Sequence, residues 1–257
     1  MGFTSNLITY LTLQLHLPLV HASNIITNYN GTANLTPLVG GLIADSFAGR
    51  FWTIAAGSAI YQLSMLSLTV SALLPSLRPP PCAAAAGAAD QACARASAWT
   101  LLVLRLSLLC TSIGTGGTRP CTMAFGADQL ELTAHGRRGA ARPKWSFFNL
   151  YFFAVELAKL TAVTAVVYIQ ENVGWGWGLG VPTIAMLAAV IAFVSGYSLY
   201  VRMPPGGSPM VRLAQVAAAA FKKRKATVPD PSLLYQDKEL DAGISTTGRL
   251  LHTDQLK

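Results

Sequence analysis

MGFTSNLITYLTLQLHLPLVHASNIITNYNGTANLTPLVGGLIA, residues 1–44, contains no Asp, Glu, Lys or Arg. The run is longer than the roughly 20 apolar residues that one membrane-spanning helix requires. Pro, His and Asn collect at residues 16–30, so the spacing predicts a short first helix over about 3–16 and a second over about 28–45. Further runs with few or no charges predict helices over about 51–76, 98–118, 146–170 and 178–201. Lipid cannot satisfy an exposed backbone, so spans are either helices or closed barrels. Barrel strands are segments of about ten residues with alternating polarity. These runs are continuous and far longer, which gives an all-α, polytopic membrane protein.

Composition points the same way. Of 257 residues, 52% are hydrophobic and 12% charged, and the mean hydropathy is +0.44. Soluble domains carry about 25% charged residues. A soluble enzyme, a nucleic-acid binder and a disordered chain are all disfavoured. Four cysteines without a CxxC or Cys/His spacing give no zinc site. There is no nucleophile–base pair and no phosphate loop, so the reading is not an enzyme, with no cofactor and no metal.

The net charge of +8 is unevenly distributed. With the N-terminus inside, Arg50, the group Arg119, Arg137, Arg138, Arg142 and Lys144, and the basic tail from Arg202 onward all fall on the cytoplasmic side. The outer loops hold only Arg78 and Arg95. This bias predicts both chain ends in the cytoplasm. It divides the chain into a helix bundle over 1–203 and a cytoplasmic basic linker over 204–257. An amphipathic stretch at 210–221 precedes KKRK at 222–225, which could also touch anionic lipid.

Several residues carry a mechanism. GLIADSFAGR, residues 41–50, joins spans two and three on the cytoplasmic side. Asp45 lies at a helix end in a low-dielectric border zone, with Arg50 as its nearest partner. An ion pair made in one conformation and broken in another is a gate; an ordinary polar loop is the blander alternative. GTGGTRP, residues 114–120, ends span four with small residues suited to close helix packing. Arg119 there is either an anchor reaching to the interface or a buried cation facing a cavity. Arg105 lies within two turns of the outer end and is expected to snorkel. Glu156 and Lys159 share one face of span five at i, i+3, as a functional pair or a mutually neutralised one. Tyr10, Asn28, Asn34 and Asn149 are candidates for lining a polar cavity, against the alternative of helix packing. Cys82 and Cys93 share an outer loop facing an oxidising compartment, where a disulfide can form. Arg50-x-x-Thr53 resembles a basic kinase site, weakened by its place at a membrane helix end.

The stretches ASNIITNYNGTANLTPLVGGLIADSFAGRFWTI, GTGGTRPCTMAFGADQL and SFFNLYFF…VYIQENVGWGWGLGVPT resemble the plant nitrate/peptide transporter family. This is the plant branch of the proton-coupled oligopeptide transporters, within the major facilitator superfamily. QLHLPL, SFAGRFWTI and the linker look most like its third subfamily, associated with nitrite, nitrate and gibberellin-type hormones. The resemblance implies proton-driven alternating access in a twelve-helix protein, with substrate held between two six-helix halves. It implies a small-molecule substrate and protons as partners in a lipid bilayer, and no nucleic acid. Asp45 and Arg50 fall on the superfamily's cytoplasmic gate motif. Arg119 falls where the family has a Lys or Arg that pairs with an acidic coupling motif on helix one. Peptide-transporting relatives carry Tyr at the position of Asn34, which argues against a peptide. Glu156 and Lys159 stand where the family usually has Asn and Ser.

The family's E-x-x-E-[RK] motif would precede Met1, and helices seven to twelve would follow Lys257. The expectation is the N-terminal six-helix half, with its first helix truncated. Such a chain is expected to be an incomplete transporter, inactive without the missing C-terminal half. The alternative is a non-transporting half-protein that associates with a full-length relative and modulates it.

Overall fold

The computed structural model describes residues 6–74, 79, 96–136, 144–201 and 209–224. Every regular element among them is helical, and none is a strand. The first, α1, runs Leu7–Thr9 and widens into a π-helical turn at Tyr10–Gln14. It is followed by α2 (Leu19–Ile43), α3 (Gly49–Leu73), α4 (Ala98–Gly136), α5 (Lys144–Thr161), α6 (Val167–Asn172) and α7 (Trp175–Ser195). π-Helical turns link α2 to α3 at Ala44–Ala48 and α5 to α6 at Ala162–Val166. These elements belong to one compact unit, Met1–Pro205; a second, Gly206–Lys257, contains the separate helix α8 (Pro209–Lys223).

Two helices depart from the expected boundaries. α2 begins at Leu19, not near residue 28, so the His- and Asn-rich stretch read as a break forms its first turns. Pro18 takes an extended conformation (φ −57°, ψ 140°) just before the helix, where proline costs nothing. Ala22, Ile25 and Tyr29 then bury against α1 and α4, and this packing overrides weak local propensity. α4 continues to Gly136 instead of ending near 118. Pro120 removes one backbone donor without breaking the helix, as membrane helices tolerate where a neighbouring helix covers the freed carbonyl.

Among the described residues, four helical stretches are long and apolar enough to cross a membrane: Leu19–Leu73, Ala98–Leu130, Phe147–Asn172 and Trp175–Ser198. The first, at 55 residues, is more than two crossings of about 20 residues. Contacts to α4 show that it doubles back. On α2, Thr36 donates to the Ser112 carbonyl and Gly40 abuts Gly116, so α2 and α4 run parallel. On α3, Thr53 meets Gly117, Tyr61 meets Gly114 and Ser64 meets Ser107, so α3 runs antiparallel to α4. The chain reverses at Gly49, whose φ of 75° suits a residue without a Cβ. Gly174, at φ 132°, permits a second reversal between α6 and α7.

The α3–α4 seam is small and polar. Gly57, Gly114 and Gly117 bring the backbones together, and the Ser64 hydroxyl lies 2.5 Å from both the Ser107 carbonyl and the Thr111 hydroxyl. In lipid, close packing and inter-helix hydrogen bonds hold helices together where apolar burial does not. α7 lies along α3, with Gln62 donating to the Thr183 carbonyl (3.1 Å) and the Thr69 and Thr183 hydroxyls 3.1 Å apart. An apolar core of Leu7, Leu11, Leu15, Met65, Leu68, Leu104 and Leu179 fills one end of the bundle. By contrast, α5 leaves Leu150, Phe153, Leu157 and Leu160 exposed.

Candidate functional site

At the other end of the bundle, the turn Ala44–Ala48 lies beside the first residues of α3 and the C-terminal half of α4. Arg50, on the first turn of α3, is the centre of this region. Its Nη1 pairs with the Asp128 carboxylate of α4, and its Nε lies 3.7 Å from Asp45 Oδ1. The three side chains are half-buried. The expected Asp45–Arg50 pair is therefore made, and Asp128 joins it. Sequence reasoning missed Asp128 by ending the fourth helix too early. Carried through Pro120, that helix brings a carboxylate to the depth of Arg50. The arrangement clamps α2, α3 and α4 by charge, and α3 and α4 cannot separate at this end without breaking it.

Beneath the clamp lies an aromatic cluster. Phe51 stacks on Phe193 with ring centroids 5.0 Å apart, and Phe125, Tyr197 and Tyr200 surround them. It fixes α7 against α3 and α4, so Arg50 projects from a packed base.

Arg119 is exposed on α4 and belongs to none of the ion pairs among the described residues, which are Arg50 with Asp45 and Asp128, and Lys159 with Glu156. Glu156 and Lys159 pair on α5 at 2.5 Å, with the Glu156 side chain largely exposed.

Tyr10 is 3% exposed and packs against Trp175 with ring centroids 5.0 Å apart, within the apolar core. Asn34 and Asn149 are exposed. At 100° per residue Asn34 is about 200° around α2 from Thr32, on the side away from the α2–α4 cleft. Thr53 is buried and donates to the Gly49 carbonyl at 2.9 Å, which closes it to a kinase in this conformation. Arg105 is exposed and, with Asn28 and other polar residues, lines a cleft between α2 and α4. Cys82 and Cys93 lie outside the described residues. Cys110 and Cys121 are free thiols on α4.

The profile of the POT family matches residues 51–254. The chain belongs to the POT family. Among its relatives from Arabidopsis thaliana, Protein NRT1/PTR FAMILY 3.1 is 52% identical over 256 residues, covering 99% of this chain and 42% of the relative. Protein NRT1/PTR FAMILY 8.5 is 42% identical over 257 residues, and family member 6.3 is 38% identical over 261. The chain thus spans about two fifths of the length of these POT relatives, with 42% or 43% of each covered. The crystal structure of the POT family transporter PepTSo superposes with a TM-score of 0.61 at 21% identity, over 79% of this chain and 35% of that one. Peptide transporter POT in complex with sulfate also gives 0.61, at 17% identity, over 87% and 40%. At these identities the likeness establishes the fold alone: a helix bundle like that in part of those two chains.

Proposed function

We propose that this chain supplies the N-terminal half-bundle of a proton-coupled symporter for a small solute, nitrate, nitrite or a related anion being the favoured cargo. The observation that carries the reading is the clamp of Arg50 by Asp45 and Asp128, in a chain of the POT family. It acts as the cytoplasmic gate, closed when the ends of α3 and α4 are drawn together. Arg119 is the proton-coupling cation. Its freedom from any ion pair among the described residues supports that role, because a coupling cation must accept and release a carboxylate partner. The bias of Lys and Arg along the sequence toward the segments read as cytoplasmic, Arg50 among them, supports a cytoplasmic orientation for this end.

The test is uptake of isotopically labelled nitrate and nitrite into oocytes at acidic external pH. The chain is expressed alone and together with the C-terminal half of the Arabidopsis family member 3.1. Uptake is expected from the pair and not from the chain alone. No uptake of either ion by the pair, with both halves in the membrane, would remove the anion assignment.

A second reading is favoured by one observation. α5 exposes a row of large apolar residues, including Leu150, Phe153, Leu157 and Leu160. Such a face suits association with a full-length relative, whose transport the chain would modulate. Co-purification with that relative from membranes, together with changed uptake, separates this reading from the first.

A further inference from the structure

At the end of the bundle remote from Arg50, polar side chains that neither the clamp nor the helix seams use come together. His21, Asn24, Asn28 and Thr32 follow one another at three- or four-residue spacing, which puts them on one face of α2. Arg105 and Ser112 face them from α4. Together with Tyr29 and neighbouring apolar side chains they line an open cleft of about 400 Å³, in which His21, Asn24, Asn28 and Arg105 are exposed. Arg105 lies seven residues into α4, or about 10 Å along a helix that is apolar enough to span a membrane.

The lining has donors in excess. The Thr32 hydroxyl donates to the Asn28 carbonyl at 2.8 Å, and the Ser112 hydroxyl to the Leu108 carbonyl at 3.0 Å. Arg105, His21, Asn24 and Asn28 have no side-chain hydrogen bond or ion pair among the described residues. Among the described residues, no Asp or Glu lines the cleft. A guanidinium in a spanning helix without a counter-charge is costly, and such residues mark ligand paths. The guanidinium offers a rigid planar fork of donors that matches a planar anion with two or three oxygens. Two amides stand one turn apart on the facing helix to complete the shell.

We propose that this cavity is a binding site for a small planar oxyanion, with Arg105 as counter-charge and the Asn24 and Asn28 amides as donors. Nitrate, nitrite and organic carboxylates share this chemistry. The site deepens the transport reading and rests on it for the direction of entry. Arg105 and Arg119 are fourteen residues apart, so they lie within about 40° of one another around α4 and about 21 Å apart along it. An anion held at Arg105 therefore waits on the same helix stripe as the coupling cation.

Equilibrium binding tests the site without transport. The whole chain in nanodiscs is titrated with sodium nitrate, and separately with sodium benzoate, against sodium chloride at constant ionic strength, by tryptophan fluorescence. Saturable binding of either anion above chloride is expected. Arg105→Gln should weaken it at least tenfold and Arg105→Lys less, while Asn30→Ala, on the opposite face of α2, leaves it unchanged. The double variant Asn24→Ala, Asn28→Ala should also weaken it, and it serves as the deciding arm if Arg105→Gln does not fold. Saturation by nitrate alone identifies an inorganic ligand, and by benzoate alone an organic one. No saturable binding of either anion, or unchanged affinity in the folded Arg105→Gln or double variant, overturns the proposal. Binding retained by the chain, with no anion carried across a membrane by the chain paired with the C-terminal half of family member 3.1, would refute the transport reading and leave the site standing.

Discussion

Arg50 pairs through Nη1 with the carboxylate of Asp128, which stands 78 positions further along the chain and on a different helix. Asp45, five residues before Arg50, is the more distant of its two acidic partners. The sequence motif thus contains one half of a pair whose stronger half is non-local.

This ordering predicts unequal effects of removing the two acids. Asp128→Asn leaves Arg50 only its distant partner, whereas Asp45→Asn leaves the direct pair intact. All three groups are partly exposed, so the loss is discounted for solvent screening to about 1 kcal/mol for Asp128→Asn and less for Asp45→Asn. Thermal unfolding of the purified protein in detergent measures both. A larger loss for Asp45→Asn would contradict the geometry.

The contact between α2 and α4 predicts a sharper result. A Cβ at Gly40 would lie 2.1 Å from the Gly116 carbonyl oxygen. That carbonyl is the one deprived of its helical donor by Pro120, four residues on, and it is backbone, so it cannot swing aside. Gly40→Ala should cost about 3 kcal/mol or prevent folding, by forcing the helices apart. Gly31→Ala, on the same helix with open space around it, should be neutral or stabilising by up to about 1 kcal/mol. Comparable melting temperatures for the two variants would refute the close approach.

Thr53 is predicted to be inaccessible to phosphorylation. Its hydroxyl is committed to the Gly49 carbonyl, and its methyl faces Gly117 across the α3–α4 seam. Intact-mass spectrometry after incubation with a basophilic kinase should find no phosphate on the folded protein in nanodiscs. Thr53→Glu should destabilise it by about 2 kcal/mol or more, because a longer, charged side chain would have to enter a buried, closely packed seam.

Gln170 presents the opposite case. It is 1% exposed, and neither its amide nitrogen nor its amide oxygen has a hydrogen-bond partner. An unsatisfied buried amide costs about 1–3 kcal/mol. Gln170→Met, similar in volume and without that cost, is expected to raise the melting temperature. A fall of several degrees would mean that the amide is satisfied in the native membrane protein.

What the sequence makes legible is what depends on local composition. Long charge-free runs announce spanning helices because lipid permits little else, and the run before Asp45 could be read without any partner in view. α2 escaped because a cluster of His and Asn mimics a loop when its neighbours are unknown. Ile25 and Tyr29 show it to be helix only through what covers them. α4 escaped because Pro120 reads as a stop, whereas Gly40 across the seam makes it tolerable. Asp128 was hidden by the same error. The cleft at Arg105 depends on α2 and α4 running parallel, a relation between distant segments that no local pattern encodes.

The last prediction separates structure from coupling at Arg119. The side chain is exposed and engages no carboxylate among the described residues, so folding does not depend on it. Arg119→Gln should therefore melt within about 2 °C of the parent, a shift of no more than about 1 kcal/mol for a chain of this size. In the oocyte assay with both halves present, the same variant should lose at least about tenfold in acid-driven uptake, equivalent to about 1.4 kcal/mol. Arg119→Lys should recover part of that loss, since it keeps the positive charge but not the planar fork. A marked fall in melting temperature would make Arg119 a packing residue. Full uptake by Arg119→Gln would leave proton coupling to another group, and the exposed guanidinium would then be a membrane-surface anchor.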